Sequence, residues 1–493
     1  MLTPAEEMGL SGLSLASRVR KAFYQIPEAA LAEMVERVRE EATRRHLIYL
    51  RDGDLETIRV MSCPLTALPD QLAYIHFASL TIHNALKRLP ELYLQDFAVR
   101  EVLRLLPEEE RWLWDCWGPG VREHNPVFSR LDAVVDFLSP MWKDSLRYVE
   151  PNLSGVGGLH LVPTCERIVA EVIAPALQAQ DPRLRLELGQ DIRELLMQDL
   201  LDHAEALGRT PRTVCFVEPK YAGSGPDEQE ELARWYHDRY GLKVLHADPS
   251  ELSCDKKGAV FYDGAEIDLA YRDYAVSDLI DLEKEGVDIE PMQLLFRQNR
   301  IVSSIAAEVD QKSCWEVLTD PQHAQKYFSA DERQVFRRHI LWTRLLGDRQ
   351  TTLPDGRPGD LLEYVRSEHE SLVLKPNRSF GGQGVLIGHL VTRAEWEKAV
   401  EAALADGERW VVQQLASIPV SEFPVLGPDG HLHVEPFYVV MGFAATKYGM
   451  SILGRASQKQ VVNVAQRGGM CAVMIGRPPA RLVGPAPMPR EQR

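Results

Sequence analysis

At 493 residues the chain is too long for a single hydrophobic core, and its length points to roughly two to four domains. Hydrophobic residues make up 45% and charged residues 26%, an ordinary globular balance that excludes a chain disordered for want of core-forming residues. A formal net charge of -16 would repel a phosphate backbone, which excludes nucleic acid as a general partner, so any bound anion needs a local basic pocket.

The seven cysteines, at 63, 116, 165, 215, 254, 314 and 471, form no C-x-x-C pair. Neither a zinc ribbon nor a disulfide framework is indicated, and a reducing cytoplasm is the expected location. The opening MLTPAEEMGLSG carries two glutamates instead of a basic region and an apolar stretch, so it does not read as a secretory signal. The most apolar run, Phe437 to Leu453, is interrupted by Lys447 and glycines and is too short for a membrane-spanning helix.

Residues 1–120 read as a mostly helical N-terminal region, with apolar residues at three- and four-residue spacing in Ala29 to Glu41 and Leu80 to Leu106. Trp112, Trp114 and Trp117 are assigned to core packing and given no function. Within residues 121–210, RLDAVVDFL and SLRYVEPN are near-continuous apolar runs, as expected of strands buried on both faces. Residues 211–300 carry a βαβ pattern: TVCFVEP, an amphipathic Asp227 to Tyr240, LKVLHAD, then a further strand in IDLAYRDY. The loop YAGSGPDE lacks both G-x-G-x-x-G and the P-loop pattern, so no dinucleotide or Walker-type phosphate site is read there. Tyr271 and Arg272, at a strand end, suit a substrate contact or an ordinary surface pair. Residues 301–480 run from a helical stretch, about Pro291 to Leu346, into a second β-rich region, Leu372 to Ile475. The proline-rich tail, 481–493, is expected to be poorly ordered.

The most informative segment is LVLKPNRSFGGQGVLIG, residues 372 to 388. Its glycines join strand to strand, whereas the common phosphate loops join strand to helix; here the next helix starts only after Gly388, behind the T-x-x-E box of Thr392 and Glu395. A hairpin of residues lacking Cβ can fold over a nucleotide as a flap, with Lys375 supplying charge to the phosphates. The strand ERWVVQQL follows after an amphipathic helix. This order resembles the ATP-grasp fold. The resemblance implies that Lys375 contacts phosphate, that Gly381, Gly382 and Gly384 form the flap, and that Gln413 and Gln414 lie near adenine.

The E-x-N pattern expected after the adenine strand is absent there and occurs far upstream, as Glu150, Pro151 and Asn152, preceded by Arg130 and Asp132. Alternate residues of a strand share a face, so Glu150 and Asn152 can offer two oxygens to one cation, which suits magnesium held jointly with phosphates. An upstream R-x-D and E-x-N with a downstream lysine and glycine flap resembles the circularly permuted ATP-grasp group, which includes eukaryotic-type glutathione synthetase and glutathionylspermidine synthetase. The resemblance covers roughly residues 125 to 475. It implies an α+β ATP-grasp fold in permuted order, with a helical N-terminal region and a Rossmann-like βαβ subdomain. By its motifs Arg130 matches an arginine near the transferred phosphate, Asp132, Glu150 and Asn152 match metal ligands, Lys312 in EVDQKSCWEVLTD matches a second nucleotide lysine, and Arg455 matches an arginine of the closing substrate segment. ATP and magnesium are the implied cofactors, a carboxylate and an amine the implied substrates, and a homo-oligomer is compatible with the reading.

Two departures stand against the family pattern. Ser379 occupies the flap position that carries an acidic metal ligand in glutathione synthetases, and Asp136 shares a strand face with Asp132, so either aspartate fits the ligand position. Lys447 and His160 are weaker candidates, for a nucleotide contact and for a base acting on the amine. The implied activity is an amide-forming ligase working through an acyl phosphate; a non-catalytic scaffold on a degenerate fold and a small-molecule phosphotransferase are the alternatives.

Overall fold

The computed structural model describes residues 12–477, except 222, 223, 380, 407, 408, 428, 430, 463, 465 and 466. The expected disordered tail lies outside the described residues. Three larger sheets organise the chain, and each draws on segments remote in sequence.

The central sheet has the strand order Val60–Ala67, Gly469–Gly476, Gly449–Ser457, Leu432–Thr446, Arg130–Val134, Arg147–Asn152. Val420–Leu426 pairs with the first half of Leu432–Thr446, and Leu186–Glu187 pairs with Gly469–Gly476. Every pairing is antiparallel except that of Val60–Ala67 with Gly469–Gly476. Gly449–Ser457 is buried at nearly every position, and its polar members Ser451, Arg455 and Ser457 are buried with the rest. The helices Pro69–Leu86 and Leu161–Val172 pack against this sheet and close the main core.

The N-terminal region, expected to be mostly helical, also contains strands. Between the helices Glu28–Arg44 and Pro69–Leu86 lie three strands, Ile48–Arg51, Asp54–Thr57 and Val60–Ala67. The helical text from Leu80 to Leu106 is cut into Pro69–Leu86, Leu89–Gln95 and Phe97–Val102. Asp96 starts the last of these by accepting the Ala98 N–H at 2.9 Å. Trp112 and Trp117 are core residues as expected, whereas Trp114 is 52% exposed.

The second sheet is wholly parallel, in the order Ile301–Val302, Leu269–Arg272, Thr213–Val217, Lys243–Ala247, with the helix Gln229–Tyr240 between two of its strands. This is the expected βαβ unit. Its strand-end pair is a correction. Arg272 is fully buried, donating to the Ser303 and Ser304 carbonyls at 2.6 and 3.0 Å and pairing with Glu308 at 2.7 Å, so it is neither a surface residue nor open to a substrate. Tyr271 is buried too, its hydroxyl accepting the Val156 N–H at 3.1 Å.

The third sheet, in the order Thr343–Leu345, Trp410–Gln414, Leu372–Pro376, Leu386–Ile387, is antiparallel and carries the glycine hairpin. The helix Arg393–Ala405 follows, capped by Thr392 and Glu395 as expected. This unit has its own small core, built on Trp342, Leu361, Leu374, Trp396 and Val412. Two separately cored units therefore meet along one seam.

Removing Arg272 would strand Glu308 as a buried, uncompensated carboxylate, a loss of about 3–5 kcal/mol. Arg272→Met is expected to lower the urea midpoint accordingly, and the double change with Glu308→Leu to recover most of it; a single variant as stable as wild type would show the pair to be dispensable.

Candidate nucleotide site

The strands Arg130–Val134 and Arg147–Asn152 bring the upstream candidates together. Their register places Arg130 opposite Asn152 and Asp132 opposite Glu150. Two carboxylates directly opposed repel, so the arrangement requires cations. Arg130 donates from Nε to Asp132 Oδ1 at 3.0 Å and from Nη1 to the Gly157 carbonyl at 3.0 Å. Arg455, from Gly449–Ser457, reaches Asp132 Oδ2 at 2.8 Å. Gly442 lies opposite Asp132 on the intervening strand, where a Cβ would fall 2.6 Å from Arg130 Cδ and 2.9 Å from Asp132 Oδ1. A side chain there would break the clamp. Burial pushes the Asp132 carboxyl up, but the two guanidiniums together outweigh it and hold the group below its usual range.

Asp136 is separated from this cluster. It lies beyond the strand end, accepts the Leu138 N–H at 2.9 Å and borders a different, small apolar slot, so Asp132 is the aspartate that faces the cleft. Asn152 donates from Nδ2 to the Arg130 carbonyl at 3.1 Å.

The third sheet supplies the other half. Lys375 is only 8% exposed, and its Nζ donates to Gln413 Oε1 at 2.8 Å. Burial lowers its pKa to about 8, with Lys312 pushing the same way and Glu150 and Asp132 pulling it back up. Gln413, 1% exposed, donates from Nε2 to the Val149 carbonyl and to Thr343 Oγ1, each at 2.8 Å. Its amide is therefore spent inside the protein: it positions Lys375 and ties the flap sheet to the strand that bears Glu150. Gln414 is exposed beside it.

Lys312 lies between the halves. Its Nζ is 3.7 Å from Glu150 Oε2 and donates to the Ser379 carbonyl at 2.6 Å. At the position where a flap carboxylate was sought, the chain thus offers a backbone oxygen to a lysine. Asn377 fastens the base of the flap, its Oδ1 accepting the Ser313 N–H at 2.8 Å and its Nδ2 donating to Gln311 Oε1 at 3.0 Å. Sequence reasoning passed over Asn377, Gln311 and Ser313; the tripeptide Lys-Pro-Asn beginning at Lys375 was the available signal. Gly381, Gly382 and Gly384 all have positive φ, and a Cβ at Gly382 would strike Val461 at 2.6 Å.

These elements enclose a cleft of about 120 Å³. Asp132, Glu150, Lys375, Gly382, Gln413, Gln414 and Arg455 all line it, along with an apolar set that includes Val149, Val373, Ile387, Leu415 and Val461. Arg130 and Lys312 join through their contacts with Asp132 and Glu150, and Asn152 through Arg130. Two earlier candidates lie elsewhere. Lys447 is exposed and pairs with Asp202 at 2.5 Å, and His160 lies 2.9 Å from the Arg45 carbonyl, its pKa lowered by burial.

As a metal centre the donor set is partial. Glu150 and Asn152 offer the hard oxygens that suit magnesium shared with phosphates. Asp132 does not fit as it stands, because both of its oxygens are taken by guanidinium groups. Among the described residues no group of three or more His, Cys, Asp or Glu side chains is placed to hold a metal.

Gln413→Leu would take from the buried Lys375 ammonium its acceptor and from the Val149 carbonyl and Thr343 hydroxyl one donor each, though Trp315 still donates to the first and Thr343 still donates to the Leu341 carbonyl, a loss of about 1–3 kcal/mol. Gln414→Leu, at an exposed position, is expected to stay within about 0.5 kcal/mol of wild type. Denaturant titration of both variants separates them; equal midpoints would show the amide of Gln413 to be idle.

No family model matches the sequence, and no curated protein matches it. Among solved structures, a glutathione synthetase-like effector from Globodera pallida in its apo form superposes with a TM-score of 0.61 at 13% identity, covering 92% of this chain and 98% of its own. D-alanyl-alanine synthetase A from Vibrio cholerae O1 biovar eltor and a RimK domain ATP-grasp protein from Sphaerobacter thermophilus each score 0.26 at 13% identity. They cover 49% and 52% of this chain, and 87% and 97% of their own, and scores so low carry no weight. The likeness to the effector extends over nearly both chains, so this protein shares the fold of that glutathione synthetase-like protein.

Proposed function

We propose that the protein is an ATP-dependent carboxylate–amine ligase, built as an ATP-grasp fold in circularly permuted order. The observation that carries the reading is the cleft itself. Asp132 and Glu150, Lys375, and Arg455 come from three distant stretches of the sequence and meet beneath a glycine hairpin, beside the apolar side chains of Val373, Ile387 and Leu415. The shared fold supports the reading.

In this reading the adenine lies against Val373, Ile387 and Leu415, with Gln414 and nearby backbone to read its edge. The triphosphate extends toward Lys375, Lys312, Arg130 and Arg455. Glu150 and Asn152 would hold magnesium, whose charge would offset that of the phosphate oxygens. An oxygen of the acid attacks the γ-phosphorus in line, the bond to ADP breaks, and an acyl phosphate forms. The amine then attacks the carbonyl carbon, inorganic phosphate leaves, and the amine proton passes to solvent. Phosphoryl transfer requires positioning and charge neutralisation more than covalent help, and four cations in an otherwise acidic molecule provide both. Asp132 is a positioning residue that holds Arg130 and Arg455 ready. Closure of the flap excludes the water that would hydrolyse the acyl phosphate. The chain is assigned to the cytoplasm, in keeping with its unpaired cysteines; among the described residues no helix is long and apolar enough to cross a membrane.

One observation favours a silent nucleotide-binding scaffold: neither Ser379 nor Asp132 presents an open carboxylate to a metal. Measuring ADP release over a panel of acids and amines decides between the readings. A ligase turns over repeatedly, giving ADP, inorganic phosphate and an amide, only when both co-substrates are present; a phosphotransferase turns over without the amine and accumulates a phosphorylated acceptor, and a scaffold binds ATP and releases nothing. Lys375→Met is expected to cut turnover by about 100-fold or more. Because burial holds Lys375 near 8, its charge is intact at lower pH and lost as pH rises through that value. Magnesium–ATP affinity should therefore fall between about pH 7 and about pH 9 in the wild type and stay level in Lys375→Arg. A level wild-type profile would remove Lys375 from the phosphate site.

A further inference from the structure

The carboxylates of the nucleotide cleft are already engaged by the protein's own cations. Phosphoryl-transfer sites neutralise phosphate with one or two divalent cations, and how many a site can hold depends on the carboxylates it can turn toward them. Asp132 and Glu150 are the two acidic residues of the cleft lining. Asp132 has each oxygen on a guanidinium, Arg130 at 3.0 Å and Arg455 at 2.8 Å. Glu150 has Lys312 Nζ 3.7 Å from its Oε2. Among the described residues Glu150 Oε1 and Asn152 Oδ1 carry no hydrogen bond, so these two oxygens remain for a cation.

The flap adds nothing to this supply. Between Lys375 and Glu395 the sequence holds no aspartate or glutamate, so the hairpin has no carboxylate to offer in any position it takes. Its Ser379 carbonyl instead accepts Lys312 Nζ at 2.6 Å. Asp310, two residues before that lysine, is turned to the Leu153 N–H at 2.6 Å and is not part of the cleft lining. One ammonium therefore joins the flap to Glu150, in the bridging position that a divalent cation shared by the two would take. The charges agree with this. Arg130, Arg455, Lys312 and Lys375 outnumber the two carboxylates by two, which balances the roughly two negative charges of ATP carrying one magnesium. With two magnesium ions the closed, water-poor cleft would be left with uncompensated positive charge.

We propose that the site takes a single divalent cation per nucleotide, centred on Glu150 and Asn152, and that Lys312 supplies the charge of a second. The inference rests on the ligase reading for the presence of a nucleotide, and on the engaged carboxylates for the count. An ammonium is a compact point charge with three donors, able to hold the Ser379 carbonyl and still face a carboxylate and a phosphate oxygen. Nucleotide binding then requires no divalent cation beyond the one the nucleotide carries.

The test counts manganese(II), whose free ion is read by electron paramagnetic resonance, on the full chain with adenylyl imidodiphosphate, a non-hydrolysable ATP analogue. The count is the manganese bound per analogue bound, above the uptake seen without nucleotide. The proposal expects one in the wild type, even with manganese in excess. Lys312→Gln is expected to bind the analogue about tenfold or more weaker, and excess manganese to restore most of that affinity while the count rises to two. Two manganese ions per analogue in the wild type would overturn the proposal, and this reading needs no variant to fold. So would wild-type affinity in Lys312→Gln, or a loss that manganese does not relieve, which would make Lys312 a phosphate contact alone. Analogue bound with two ions refutes the count and leaves the ligase reading intact, whereas no analogue bound at any manganese concentration sinks that reading and the count with it.

Discussion

Lys375 must keep an ammonium where almost no solvent reaches, and the demand for an acceptor at that point governs how the two cored units meet. Gln413 answers it with one oxygen, and uses its nitrogen to bind Val149 on the Glu150 strand and Thr343 on the neighbouring strand of its own sheet. One amide group thereby fixes the depth of the lysine and the registry of the flap sheet against the central sheet. The cleft lies along that join. A hydrogen bond to a charged group is stronger than one between neutral groups, and losing a partner from a buried network costs more than the mean bond is worth.

On the opposite wall the balance is reversed, with a buried carboxylate supplied with two guanidiniums. Asp132 holds Arg130 and Arg455 at distances of an ordinary ion pair, and Gly442 clears the surface on which they cross. In the proposed reaction, exchanging those arginines onto incoming phosphate would release Asp132 oxygens toward a cation. Lys312 completes the link, with one hydrogen bond into the flap base and an ion pair to Glu150.

Much of this site was legible in the sequence, for local reasons. Alternation along a strand put Glu150 and Asn152 on one face, a glycine hairpin followed by a capped helix set the frame of the flap, and Lys375 stood on the strand that precedes it. What escaped notice depends on partners far along the chain. Val60–Ala67 becomes a strand because Gly469–Gly476 lies beside it, and nothing in VMSCPLTA announces that pairing. Arg272 suited a surface position by residue type, yet its counter-charge Glu308 and its carbonyl partners come from a later segment. Gln413 lines the cleft, but its bond to the Val149 carbonyl arises only once two sheets are docked, and no local signal in ERWVVQQL shows it. Of the two aspartates that share a strand face in the sequence, Asp132 lines the cleft with both oxygens held by guanidiniums, and Asp136 lies beyond the strand end.

The central claim is that Glu150 and Lys375, from two sheets and distant stretches of the sequence, serve one nucleotide. A double-mutant cycle on magnesium–ATP affinity, using Glu150→Gln, Lys375→Met and the pair together, measures this most directly. Shared service of one triphosphate predicts non-additive losses, with a coupling on the order of 1 kcal/mol or more. Strictly additive losses, or full affinity in either single variant, would contradict the account.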